Sequence, residues 1–153
     1  MYKKIIDALY QEKKIFLYDD NKTYTYDDLQ DLVVRYYNII KENRYKKIII
    51  LQKEEIHLYA SILASYLAWG TFCVVNLELP ASRQEYIINS FKPDVIFCNK
   101  ESDWNDEIRK VTYADVDSLD EMDTDIKPIF ENNILYISFT SGSTGLAKGC
   151  MIA

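Results

Sequence analysis

Apolar residues recur along this chain at two spacings, one suited to helices and the other to buried strands. Over residues 2–12, Ile5, Ile6 and Leu9 fall where one helix face would place them. Ile15-Phe16-Leu17-Tyr18, the polar Asp19-Asp20-Asn21-Lys22 and then Thr23-Tyr24-Thr25 predict a short hairpin. Thr25 with Asp28 three residues on is a looser capping box, and it opens a helix with Leu29, Leu32, Val33, Tyr36 and Ile40 on one face. Ile48-Ile49-Ile50-Leu51 is a continuous apolar run, the pattern of a strand covered on both faces. A helix over 54–69, a stop at Gly70 and a strand over 71–75 follow. A helix over 82–91 then ends before Pro93, and Asp94-Val95-Ile96-Phe97-Cys98 is a third buried strand. A β-prone segment covers 134–139, and Cys150-Met151-Ile152-Ala153 reads as the beginning of another strand.

Strand, helix, strand, helix, strand is the order of an α/β fold: a mostly parallel sheet with right-handed helical crossovers. Ligands in such sheets gather outside the carboxyl ends of the strands. The loop after 134–139 occupies such a place. At 153 residues the chain is one domain's worth and buries roughly two thirds of its unfolded surface.

Charge and cysteine usage narrow the partners. Eighteen basic against 24 acidic residues leave −6, which argues against nucleic acid or an anionic membrane. Between Glu101 and Asp125 the acids outnumber the bases so heavily that this block reads as a solvated surface excursion, with a calcium or partner site as the weaker alternative because the glycine and terminal glutamate of an EF-hand loop are missing. Cys73, Cys98 and Cys150 each sit in or beside an apolar run without a C-x-x-C pair, as reduced core thiols of a cytoplasmic protein would. The single histidine, His57, reads as a helix-surface residue. The uncharged stretch from Leu58 to Val75 touches the lower edge of a spanning length, but Gly70 and the β-prone residues after it favour a helix, a stop and a strand over a membrane span.

The most informative stretch is Tyr136-Ile137-Ser138-Phe139-Thr140-Ser141-Gly142-Ser143-Thr144-Gly145-Leu146-Ala147-Lys148-Gly149. Gly142 and Gly145 let the backbone turn and approach a ligand closely. Thr140, Ser141, Ser143 and Thr144 add hydroxyl donors to the backbone N–H groups, and Lys148 adds a positive charge. Such a set suits the oxygens of a polyphosphate. The plain alternative is a Gly/Ser-rich surface turn. Walker A spacing fails, because Ala147 stands where its second glycine belongs and Gly149 where its magnesium-binding hydroxyl belongs. A P-loop nucleotidase is therefore the weaker alternative.

The string resembles the phosphate-binding signature of the adenylate-forming superfamily, the acyl-CoA synthetases, luciferases and carrier-loading adenylation domains. Tyr136, Phe139, Thr140, Ser141, Gly142, Ser143, Thr144, Gly145, Lys148 and Gly149 match, and Ala147 replaces the usual proline before the lysine. Thr23-Tyr24-Thr25-Tyr26-Asp27-Asp28-Leu29 resembles an early family segment. Leu67-Ala68-Trp69-Gly70-Thr71-Phe72-Cys73-Val74-Val75 with Leu79-Pro80-Ala81-Ser82-Arg83-Gln84-Glu85-Tyr86-Ile87-Ile88 is similar in part to another.

The resemblance implies that residues 1–153 are the N-terminal portion of a larger AMP-binding adenylation domain, ending just after the phosphate loop. It implies a ligase that uses ATP and Mg2+ to convert a small carboxylic acid, an amino acid or other acyl acid, into an acyl-adenylate. The acyl group then passes to the thiol of CoA or of a phosphopantetheinyl carrier protein. The phosphates would be held by Thr140, Ser141, Gly142, Ser143, Thr144, Gly145, Lys148 and Gly149, with Lys148 stabilising charge on the departing pyrophosphate. The family's substrate pocket, metal-binding glutamate, ribose-binding aspartate and C-terminal lysine lie beyond this stretch, so the 153 residues alone are expected to be inactive. A non-catalytic fragment or interaction module is the other reading.

Overall fold

The computed structural model describes residues 14–19, 22–53, 55–99, 107–119, 124–127, 136–141 and 147–152, with the side chains of residues 19, 140, 141, 147, 148 and 152 excepted. The helix expected over 2–12 and the turn at 20–21 lie outside the described residues. Strands β1 (Ile15–Asp19) and β2 (Lys22–Thr25) pair antiparallel as the expected hairpin. Helix α1 (Tyr26–Asn43) starts at the expected capping box. The Asp28 amide donates to Thr25 Oγ1 at 3.3 Å, and the Thr25 amide donates to Asp28 Oδ2 at 2.7 Å. Two of the orphan amide donors at the helix start are thereby satisfied locally. Its buried face includes Leu29, Leu32, Val33, Tyr36, Tyr37 and Ile40.

Strands β3 (Lys47–Leu51), β4 (Thr71–Val74), β5 (Val95–Cys98), β6 (Arg109–Thr112) and β7 (Tyr136–Ser141) are parallel, and β8 (Ala147–Ile152) is antiparallel to β7. Their order across the sheet is β6-β5-β3-β4-β7-β8. This is the α/β architecture with a mostly parallel sheet that the sequence predicts. Helices α2 (Ile56–Leu67) and α3 (Ala81–Phe91) make the first two crossovers. The pleat of β3 explains its unbroken apolar run: Ile48 and Ile50 join one core with α1 and α2, while Ile49 and Leu51 join a second core with Ile87, Ile88 and Phe91 of α3.

Two local devices hold the central strands in register. Asp94, just before β5, accepts from the amides of Lys46 and Lys47 at 2.7 and 2.8 Å, which ties the start of β5 to the start of β3. Gly70 lets β4 begin against β3, because a Cβ there would stand 2.6 Å from Ile48 Cδ1.

The acidic block departs from its expected character as a purely solvated excursion. Its described part contains β6 at the sheet edge and the short helix α4 (Tyr113–Asp117), with Val111, Thr112 and Val116 buried. The charged residues mask a strand that shows only two inward side chains. A second capping box, Thr112 with Asp115, starts α4. Arg35 of α1 donates from Nη1 to the carbonyls of Val116, Asp117 and Leu119 at 3.2, 3.0 and 2.8 Å, closing the end of that helix. Residues 101–106 and 120–123 of the block lie outside the described residues.

Candidate functional site

The Gly/Ser-rich stretch is the connection of a β-hairpin. β7 and β8 pair with Ser141 opposite Ala147, Thr140 opposite Lys148 and Phe139 opposite Gly149. Lys148 therefore lies on a strand, in register with Thr140, and not in the loop itself. β7 shares one register position with β4, Phe72 with Tyr136, and its last residues lie farther along the chain direction, toward the carboxyl edge of the sheet. Alternation along β7 puts Tyr136 against the α1–α2 core, while Ile137 and Phe139 join the α3 core. Gly149 has a packing reason to be glycine: a Cβ there would lie 3.3 Å from Ile137 Cγ2 and 3.6 Å from the Phe139 ring. Gly142, Ser143, Thr144 and Gly145 lie outside the described residues, as do the side chains of Thr140, Ser141 and Lys148.

At the same edge the chain leaves β3 for α2 on one face and leaves β4 for α3 on the other. Adjacent parallel strands whose connections diverge to opposite faces make a crevice, the usual ligand position in such sheets. A cleft of about 610 Å³ lies there, lined by Gln52, Lys53, Leu58, Asn76, Glu78 and Tyr136 among others. Its walls mix apolar side chains with two amides, a cation and a carboxylate.

Gln52 belongs to a polar network that the sequence does not reveal. Ser61 Oγ donates to Gln52 Oε1 at 2.8 Å, Gln52 Nε2 donates to the Tyr36 hydroxyl at 2.8 Å, and that hydroxyl lies 3.1 Å from His57 Nδ1. His57 Nε2 is 3.7 Å from Asp117 Oδ1, and the ring stacks on Tyr113 at 3.9 Å between centroids. The histidine is thus half-buried and partnered, contrary to the helix-surface residue expected. Burial lowers its proton affinity, with Asp117 pulling it up and Lys22 pulling it down. Burial raises the pKa of Tyr36, so its hydroxyl stays protonated. One signal was local: His57 and Ser61 are four residues apart and share a face of α2. The partners on α1, on α4 and after β3 were not.

Two cysteine expectations hold and one is corrected. Cys73 and Cys98 are buried, and desolvation pushes the Cys73 thiol up to about 12. Cys150 is exposed on β8, at the far edge of the sheet from β6, as are its neighbours Gly149 and Met151. Among the described residues no group of three or more His, Cys, Asp or Glu could hold a metal ion. Among them no helix is long and apolar enough to cross a membrane.

A family model described as AMP-binding enzyme matches residues 7–153. The chain is 25% identical over 130 residues to D-alanine--D-alanyl carrier protein ligase of Staphylococcus haemolyticus, covering 81% of this chain and 26% of that protein. It is 32% identical over 93 residues to nonribosomal peptide synthetase 2 of Cochliobolus heterostrophus, covering 59% of this chain and 2% of the synthetase. The N-terminal subdomain of Klebsiella oxytoca NpsA, solved with 3-hydroxyanthranilyl-AMSN, superposes with a TM-score of 0.79 at 18% identity, over 98% of this chain and 39% of that one. O-succinylbenzoate coenzyme A synthetase (MenE) of Bacillus subtilis, solved with AMP, gives 0.75 at 14% identity, over 95% and 40%. The chain spans about a quarter of the ligase it matches and a far smaller share of the synthetase.

Proposed function

The chain belongs to the AMP-binding enzyme family, and on that premise we propose that it supplies the phosphate-binding part of an ATP-dependent acid–thiol ligase. In this reading residues 1–153 are the N-terminal portion of an adenylation domain, and the rest of the site lies on further chain. A carboxylate oxygen attacks the α-phosphorus of ATP, the bond from that phosphorus to the pyrophosphate oxygen breaks, and acyl-AMP forms. A thiolate of CoA or of a carrier-bound phosphopantetheine then attacks the acyl carbon and AMP leaves.

The observation that carries this reading is the pairing of β7 with β8, with Ser141 opposite Ala147, which fixes the two ends of the T-S-G-S-T-G segment. That segment joins β7 to β8 at the carboxyl edge of a parallel sheet, where backbone N–H groups and hydroxyls can converge on an anion. Thr140, Ser141, Gly142, Ser143, Thr144, Gly145 and Gly149 hold the β- and γ-phosphates. Lys148 stabilises the charge that builds on pyrophosphate as it departs, a stabilisation that counts most in the transition state. The carrier-protein ligase and the peptide synthetase among the relatives support an amino acid as substrate and a carrier protein as acceptor.

The test is carboxylate-dependent ATP–pyrophosphate exchange by the full-length protein, run with a panel of amino and fatty acids. Exchange stimulated by one class of acid is expected, and exchange by residues 1–153 alone is not. No exchange with any acid in the full-length protein would return the chain to a non-catalytic module.

A further inference from the structure

Four side chains inside the fold form a closed hydrogen-bond count with two solutions. Tyr36, Gln52 and Ser61 are buried on α1, after β3 and on α2, and His57 joins them from the first turn of α2. The Tyr36 hydroxyl has one proton. Because Gln52 Nε2 donates to that oxygen, the proton goes to His57 Nδ1. The neutral imidazole then carries its own proton on Nε2, facing Asp117 Oδ1. Ser61 completes the count by donating to Gln52 Oε1.

A proton added to His57 breaks this arrangement. Nδ1 becomes a donor toward the tyrosine oxygen, and the hydroxyl proton of Tyr36 loses its acceptor. A buried donor without an acceptor is costly. Gln52 can restore the count by turning its amide over, so that Oε1 accepts from Tyr36 and Nε2 faces Ser61. Ser61 then donates to the Leu58 carbonyl, which already lies 2.9 Å from its Oγ. Every hydrogen bond along the chain from Ser61 to His57 is made in both states, apart from the second N–H of Gln52, and only proton positions and one amide orientation differ.

We propose that Ser61, Gln52, Tyr36 and His57 form a reversible hydrogen-bond relay, in which a proton arriving on His57 turns over the Gln52 amide in the wall of the β3–β4 cleft. Gln52 retains one free N–H and one free carbonyl lone pair in each state, and the flip exchanges their ends. The cleft therefore presents a different donor–acceptor pattern to a bound ligand below and above the His57 midpoint. The charged groups bearing on the imidazole are Asp117 of α4 and Lys22 of β2; the neutral hydroxyls of Tyr36 from α1 and Tyr113 from α4 complete its surroundings. Burial places the transition below the ordinary histidine range. The inference does not depend on the ligase reading.

The full-length protein labelled with 15N is titrated between about pH 8 and about pH 5, following the His57 ring nitrogens and the Gln52 side-chain amide. Neutral His57 is expected with its proton on Nε2, and the Gln52 signals are expected to move with the His57 midpoint. Asp117→Asn, a change in a side chain that is 61% exposed, should lower both midpoints together by roughly half a pH unit. Tyr36→Phe should leave His57 titrating and disconnect Gln52 from it. A neutral tautomer protonated on Nδ1, a Gln52 midpoint that differs from that of His57 in the wild type or in Asp117→Asn, or a Gln52 that still follows His57 in Tyr36→Phe each overturns the relay. Should Tyr36→Phe fail to fold, the surface variant decides alone.

Discussion

Replacing Gly70 by alanine tests how tightly β4 is set against β3. The new methyl would lie 2.6 Å from Ile48 Cδ1, against about 3.5–4.0 Å for a relaxed carbon pair. Ile48 cannot retreat easily. It is fully buried and pairs with Phe72 of β4 on one side and Val95 of β5 on the other. Overpacking of this kind costs roughly 1–3 kcal/mol. Gly70 does not adopt a left-handed conformation, so alanine also recovers about 0.4–1 kcal/mol by restricting the unfolded chain. The net expectation is a destabilisation of about 1–2 kcal/mol, read from urea unfolding at constant m. Ile48→Val removes the Cδ1 methyl that clashes, and alone should cost about 0.5–1.5 kcal/mol. The next nearest side-chain atom, Ile48 Cγ1, stands at an ordinary 3.6 Å. In the double variant the clash is gone, so the two changes should cost less together than their sum by about 1 kcal/mol or more. A neutral or stabilising Gly70→Ala, or strict additivity in the cycle, would refute the packing argument.

Three further outcomes are expected. In the full-length protein Lys148→Ala should lower kcat/KM for adenylation roughly ten- to 150-fold, the value of one charge-assisted hydrogen bond, and slow thiol transfer from preformed acyl-adenylate less. Equal slowing of both steps would refute its role on pyrophosphate. His57 takes up its proton less readily in the folded chain than in the unfolded one. Its contribution to stability is therefore present above the ordinary histidine pKa and is lost as pH falls through the lower folded value; denaturation midpoints at neutral and mildly acidic pH, compared with His57→Gln, check the sign. In residues 1–153, a thiol reagent should modify Cys150 on β8 well before Cys73 or Cys98, because burial withholds access to both and also disfavours the Cys73 thiolate. Equal rates in the native state would contradict the burial.

Local chemistry determined much of this fold from the sequence alone. The Thr25–Asp28 capping box places the start of α1 because its two hydrogen bonds close within four residues. The run Ile48–Leu51 identifies a central strand because both of its faces need apolar cover. The phosphate-type segment was recognisable because its residue types and spacing are themselves the signal. Strand β6 escaped because only its last two residues, Val111 and Thr112, are buried while Arg109 at its start is exposed, so its four residues carry neither an apolar run nor an alternation. Cys150 misled for a similar reason: an apolar run implies a strand, but not that its side chains are covered, and Cys150 and Met151 are both exposed.

The tertiary structure decided what depends on partners distant in the chain. The order β6-β5-β3-β4-β7-β8 sends the connections of β3 and β4 to opposite faces and so opens the cleft. Pairing of β7 with β8 turned a presumed loop lysine into the cross-strand partner of Thr140. His57 became a half-buried, partnered group because Tyr36, Tyr113 and Asp117 converge on it from α1 and α4. Sequence patterns report what a residue needs from its immediate neighbours; which distant group satisfies that need is settled when the layers pack and each buried donor must find an acceptor.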